Sequence, residues 1–89
     1  MYEIEFTSRA SRDFRKLTLA IQERLGDAID GLENNPRQTG VKKLTGVLHR
    51  IRAGDWRIIY AILDKQQRVV IVKVVRRSKD TYAGLEELF

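Results

Sequence analysis

Eighty-nine residues make one domain, residues 1–89, and leave no room for a second. The chain is 43% hydrophobic and 33% charged, with a net charge of +5 and no cysteine, which excludes a disulfide framework, a thiolate zinc site and a cysteine nucleophile. No run approaches the ~18 apolar residues that span a bilayer and no signal-peptide pattern opens the chain, so no membrane is expected as a partner and the cytoplasm is the expected compartment.

The chain opens on Tyr2-Glu3-Ile4-Glu5-Phe6, an alternation that predicts a strand with Tyr2, Ile4 and Phe6 inward. Thr7 or Ser8 offers an N-cap, and Ala10, Phe14 and Leu17 carry helical spacing to about residue 17. Thr18 offers a second cap, with Gln22 near the capping-box position. Ile21, Leu25, Ala28, Ile29 and Leu32 then form an i, i+3, i+4 stripe to about residue 33. Two helices so closely linked predict a helical hairpin, which Asn34-Asn35-Pro36 ends because proline cannot continue the ladder. A polar connection follows, with a short turn expected over Val41–Leu44 and Lys42 and Lys43 on a solvated loop.

Strand signals dominate the rest. Val47 to Ala53 alternates, Gly54-Asp55 makes a tight turn, and Trp56 to Leu63 is strongly β-prone. Asp64 to Gln67 is a second turn before the valine-rich segment from Arg68 to Arg77, and Asp80 to Phe89 reads as a short helix. The expected fold is α+β: a small antiparallel sheet, made of the N-terminal strand and a three-strand meander, with a helical hairpin on one face and a short C-terminal helix.

Charge is distributed unevenly. Residues 1–45 hold eight Lys/Arg against seven Asp/Glu, whereas residues 48–79 hold nine Lys/Arg against only Asp55 and Asp64. Such an asymmetry points to a polyanionic partner, either nucleic acid or an acidic protein. Strand side chains alternate between faces, so Ile51 inward sends Arg50 and Arg52 outward together. Ile58, Tyr60 and Ile62 suit the helices, which puts Arg57 on the other face with Ile59, Ala61 and Leu63. On the last strand Val70, Val72 and Val74 are assigned to the helix side, and Val69, Ile71, Lys73, Val75 and Arg77 to the other. The expected outer face therefore carries Arg50, Arg52, Arg57, Lys73 and Arg77 around a floor of Ile59, Ala61, Ile71 and Val75. Folding alone gives no reason to gather five repelling cations; an anionic ligand does, and the arginine fork fits phosphate bidentately.

The run Leu48-His49-Arg50-Ile51-Arg52-Ala53-Gly54-Asp55-Trp56-Arg57-Ile58-Ile59-Tyr60 resembles the central signature of the RelE/ParE toxin superfamily. Leu44-Thr45-Gly46 upstream and Val75-Arg76-Arg77-Ser78-Lys79-Asp80-Thr81-Tyr82 downstream are also similar to it, as are the opening strand, the helical hairpin and its Asn-Pro break. The resemblance implies a toxin neutralised by a cognate antitoxin that wraps it, and, for RelE-type members, a ribosome-dependent mRNA endonuclease. Two basic residues before the glycine turn, here Arg50 and Arg52, belong to that active site, with Arg57, Arg77 and Tyr82.

The implied reaction is attack of a ribose 2′-OH on the neighbouring phosphate, leaving a 2′,3′-cyclic phosphate and a free 5′-OH. It requires no metal and no small-molecule cofactor. The catalytic set is Arg52, Arg57, Arg77 and Tyr82, with Arg57 and Arg77 stabilising charge on the phosphoryl oxygens. Phosphate and RNA binding falls to Arg50, Lys73, Arg76 and Trp56, with Trp56 or Tyr82 stacking on a base. Arg50 and Arg52 stand where some relatives have lysine. Arginine keeps its proton, so Tyr82, a phenol eased toward ionisation by surrounding cations, is the candidate base. Arg77 is placed to assist the leaving 5′ oxygen. His49 shares parity with Ile51 and reads as a structural or edge residue.

Two other functions fit the same residues: a ParE-like, non-nucleolytic inhibitor of DNA gyrase, and a catalytically silent RNA- or antitoxin-binding relative. Tyr82 after the Arg76-Arg77 pair is typical of RelE-like members and favours the endonuclease. The apolar floor and basic rim suit an acidic amphipathic antitoxin segment, expected to displace or shield residues 80–89.

Overall fold

The computed structural model describes residues 1–76; the expected C-terminal helix lies outside them. β1 (Glu3–Phe6) leads through Thr7 into α1 (Ser8–Arg15), and α2 (Leu19–Asn34) follows after Thr18. Both threonines act as N-caps. The Thr7 side chain accepts from the Ala10 N–H at 3.1 Å and that of Thr18 from the Ile21 N–H at 3.3 Å, each satisfying a donor the helix cannot. Gln22 serves the other helix: its amide donates to the Phe14 and Leu17 carbonyls at 3.1 and 3.0 Å, beside the Leu17 N–H that donates to the same Phe14 carbonyl at 3.2 Å. α1 ends at Arg15, short of the expected residue 17.

Five strands form one sheet in the order β1-β5-β4-β3-β2, with β2 at Lys42–Thr45, β3 at Leu48–Ala53, β4 at Trp56–Leu63 and β5 at Arg68–Arg76. The α+β class holds, but the sheet is mixed rather than antiparallel. β1 runs parallel to β5, Glu3 opposite Arg68 and Phe6 opposite Ile71, because the helices intervene before the chain enters the four antiparallel strands. Lys42–Thr45 is a fifth strand rather than a turn, paired with β3 through Lys42–Arg50 and Lys43–His49. Gly54 sits at φ +63 in the two-residue turn between β3 and β4, where an added Cβ would come within 2.9 Å of the Arg24 guanidinium. The backbone conformation favours glycine there, whereas the Arg24 side-chain end could swing aside.

Both helices cover one face. Ala10, Leu25, Ile29 and Leu32 meet Ile51, Ile58, Tyr60, Ile62, Val69, Ile71 and Val74 in the main core. A second apolar layer on the opposite face joins Leu48, Ile59, Ala61 and Val72. The expected parity of β5 fails at its middle. Ile59 pairs with Lys73 and Tyr60 with Ile71, so Val72 is an extra residue, a β-bulge that reverses the alternation beyond it. Val69 and Ile71 therefore face the helices and Val70 and Val72 the other side, while Lys73 and Val75 keep the face expected of them.

Tyr60 is fully buried, and its hydroxyl donates to the Pro36 carbonyl at 2.6 Å, tying β4 to the bend after α2; burial pushes the phenol pKa well up. Tyr60→Phe strands that carbonyl, and we expect a loss of about 1–3 kcal/mol, measurable from urea midpoints. At the other end of β4, Asp64 accepts from Tyr2 at 2.7 Å and from both Arg37 terminal nitrogens at 3.0 and 2.8 Å. The Arg37 hydrogen bonds first, then that of Tyr2, lower its carboxyl pKa from 3.8 to about 2. A carboxylate held below its unfolded value stabilises the fold above pH 4, and that contribution is lost as pH falls toward 2. Asp64→Asn should therefore flatten the acid limb of a stability-versus-pH curve between pH 5 and 2, and equal limbs in the two proteins would contradict the assignment.

Candidate nucleic-acid interface

Strand register arranges the face opposite the helices in transverse rows. Nearest the β3–β4 turn, Arg52 pairs with Arg57 and Arg57 with Val75. The next row runs Lys42, Arg50, Ile59, Lys73. Beyond it come Leu48, Ala61, Val70 and Glu5, then Leu63, Arg68 and Glu3. Five cations thus occupy two adjacent rows at one end of the face, while an apolar floor and an acidic edge occupy the rest. Directly opposed side chains stand about 4.5–5.5 Å apart at Cβ, and like charges so placed destabilise a sheet.

Arg50 and Arg57 are each only 6% exposed, although the sequence suggested that they point to solvent. Among the described residues neither is in an ion pair; the two pairs there are Arg37–Asp64 at 2.8 Å and Arg68–Glu5 at 3.0 Å. One Arg57 nitrogen, Nη1, donates to the Gly54 carbonyl at 3.1 Å and the Trp56 carbonyl at 2.9 Å. The turn thereby fixes the guanidinium and leaves its Nε and Nη2 edge for an anion. The Arg50 Nε is buried without a hydrogen-bond partner, a costly state for a charged donor. Arg52 is exposed and Lys73 half-buried.

The structure thus brings together Arg50, Arg52, Arg57 and Lys73 from the expected set. It does not bring Trp56 or Arg76 to them. The two-residue turn pairs Trp56 with Ala53, and β5 pairs it with Arg76. That row lies on the helix side, where Trp56 leans on the main core. Arg77 and Tyr82 lie outside the described residues. Sequence reasoning missed Lys42, which reaches the basic face because β2 is a strand; its signal is the two-residue spacing to Leu44, which lines the second apolar layer. His49 stays on the helix side, with its ring stacked on Tyr60 at 5.9 Å and its Nδ1–H donating to the Val47 carbonyl at 2.8 Å. Desolvation first, then the nearby charges of Arg37 and Lys43, lower its pKa against the Val47 hydrogen bond, favouring the neutral ring. Among the described residues no His, Cys, Asp or Glu cluster suits a metal ion, and no helix is long and apolar enough to cross a membrane.

This two-helix, five-strand α+β fold recurs in known proteins. Residues 4–81 match the family model described as the ParE toxin of type II toxin–antitoxin systems. The toxin RelE of Mycobacterium tuberculosis is 38% identical over 81 residues, covering 86% of this chain and 82% of the relative. The mRNA interferase toxin RelE of Escherichia coli K12 is 26% identical over 82 residues, covering 88% and 85%. Among solved structures, a chain of the RelBE2 toxin–antitoxin complex from Mycobacterium tuberculosis superposes with a TM-score of 0.76 at 30% identity, covering 85% of this chain and 98% of that one. The chain belongs to this family of type II toxin–antitoxin toxins.

A buried cation with an unpartnered donor opposes folding, so its removal should stabilise the protein. We expect Arg50→Met, similar in volume and apolar, to raise stability by about 1–4 kcal/mol, read as a shift in urea midpoint. A loss of stability would mean that Arg50 is there for the fold.

Proposed function

We propose that this chain is a ribosome-dependent mRNA endoribonuclease, a toxin that stops translation in the cytoplasm until a cognate antitoxin covers it. The observation that carries this reading is the pair Arg50 and Arg57, nearly buried on one sheet face with no carboxylate beside them among the described residues. A phosphodiester supplies the missing charge. The likeness to an mRNA interferase toxin supports the choice of RNA, and the solved neighbour taken from a toxin–antitoxin complex supports an antitoxin as the second partner.

In this reading a ribose 2′-OH attacks the adjacent phosphorus, forming the 2′,3′-cyclic phosphate as the bond to the 5′ oxygen breaks. Arg57, already oriented by the turn carbonyls, stabilises the negative charge growing on the phosphoryl oxygens without reorganising. Arg50 and Arg52 hold the backbone in register, and Lys73 adds to the field from β5. Arg77 shares the charge stabilisation and assists the departing 5′ oxygen, and Tyr82 takes the 2′-OH proton. Trp56 and Arg76, on the helix side, have no part in this arrangement. A second reading has one observation in its favour: the matching family description is that of ParE, whose resemblance implies inhibition of DNA gyrase.

Primer extension on mRNA in a reconstituted translation system separates the two. Wild type should cut mRNA on the ribosome, Arg57→Ala should cut about 10²–10³-fold more slowly, and Tyr82→Phe should lose cleavage while still binding. Intact mRNA together with gyrase–DNA adducts would establish the ParE-like reading instead.

A further inference from the structure

Lys42 and Lys43 are adjacent, both exposed and equal in charge, yet the sheet separates them. Lys42 lies opposite Arg50, on the face that holds Arg52, Arg57 and Lys73. Lys43 lies opposite His49, whose ring stacks on Tyr60 under the helices. Flanking side chains confirm the division: Val41 leans on the main core and Leu44 on the second apolar layer.

We propose that Lys42 is a further phosphate-contacting residue, and that the bound RNA strand leaves the site across the edge formed by β2; this rests on the endoribonuclease reading above. The row Lys42–Arg50–Ile59–Lys73 crosses three inter-strand gaps, about 14 Å, enough to follow a backbone beyond the phosphate held at Arg57. Beyond Lys73 the opposite side of the face is less favourable to a polyanion. Toward β1 the face carries Glu3 and Glu5; Glu5 pairs with Arg68 of β5 at 3.0 Å, which leaves Glu3 as the unpaired charge on β1 among the described residues. β2 is an edge strand carrying Lys42 on this face and no acid of its own, since its residues are Lys42, Lys43, Leu44 and Thr45. A polyanion entering at Arg52 and Arg57 therefore meets attraction toward Lys42 and repulsion toward β1. Lys42 acts by positioning the strand rather than by touching the reacting atoms.

The adjacent lysine supplies the control. Binding of the full 89-residue protein to a fluorescent 2′-O-methyl oligoribonucleotide, which lacks the attacking hydroxyl, is followed by anisotropy across a salt series. Losing one contact with a single-stranded phosphate should flatten the slope of log K against log salt by about 0.7. We expect that change in Lys42→Ala, no change in Lys43→Ala, and a wild-type slope in Lys42→Arg. An unchanged slope in Lys42→Ala, or an equal change in Lys43→Ala, overturns the assignment of Lys42 while leaving the endoribonuclease reading in place. No binding by wild type likewise overturns the assignment of Lys42, and cleavage on the ribosome then decides the endoribonuclease reading.

Discussion

Ile58, Tyr60 and Ile62 enter the core beneath the helices while Ile59 and Ala61 enter a second apolar layer on the other side. A strand buried on both faces cannot slip by one residue without exchanging the two sets, so β4 fixes the register of its neighbours. Its position is locked further by the Tyr60 hydroxyl, whose partner, the Pro36 carbonyl, ties the sheet to the end of the helical unit. From this registration follows the placement of the cations. Arg57 begins the run of buried residues in β4, and β3 and β5 deliver Arg52, Arg50 and Lys73 to positions opposite it or one row away.

Much of this was legible in the sequence because the signals were local. The two threonine caps, the apolar stripe of α2, the Asn-Pro stop and the bounds of β4 depend on neighbours within a few residues. The parity of Arg50, Arg52 and Arg57 was equally secure, since one apolar alternation in β3 and another in β4 agree on it. The failures were non-local. β5 is so uniformly apolar, Val69-Val70-Ile71-Val72, that nothing in its pattern marks the extra residue, and a bulge appears only when a partner strand is laid beside it. The parallel pairing of β1 and the recruitment of Lys42–Thr45 as an edge strand likewise depend on contacts between distant segments.

The candidate site shows the same division. Charge asymmetry located the basic region and strand periodicity chose which cations share a face; Trp56 entered the set as an aromatic able to stack on a base and Arg76 as the neighbour of Arg77, and pairing puts both in a row away from the cations. A two-residue turn makes its flanking residues partners on one face, so Trp56 had to follow Ala53 to the helix side once Arg52 and Arg57 were opposed. Burial was also out of reach. A basic strand residue ordinarily reads as solvent-facing, and sequence offers no sign that Arg50 and Arg57 are nearly enclosed.

The two ends of β4, separated by about 23 Å of extended chain, treat charge in opposite ways. At the Asp64 end opposite charges are paired: the carboxylate accepts from Arg37 and Tyr2, and Arg68 meets Glu5. At the Gly54 end, cations are opposed to cations, Arg50 lacks a partner for its Nε, and Arg57 finds only carbonyls. A domain of this size has little stability to spare, and an unfavourable cluster persists only where the rest of the structure holds it in place. The doubly buried strand and the paired charges at the far end provide that support. Local consistency therefore fails at one place in the sheet, and that place is where an anionic ligand restores it.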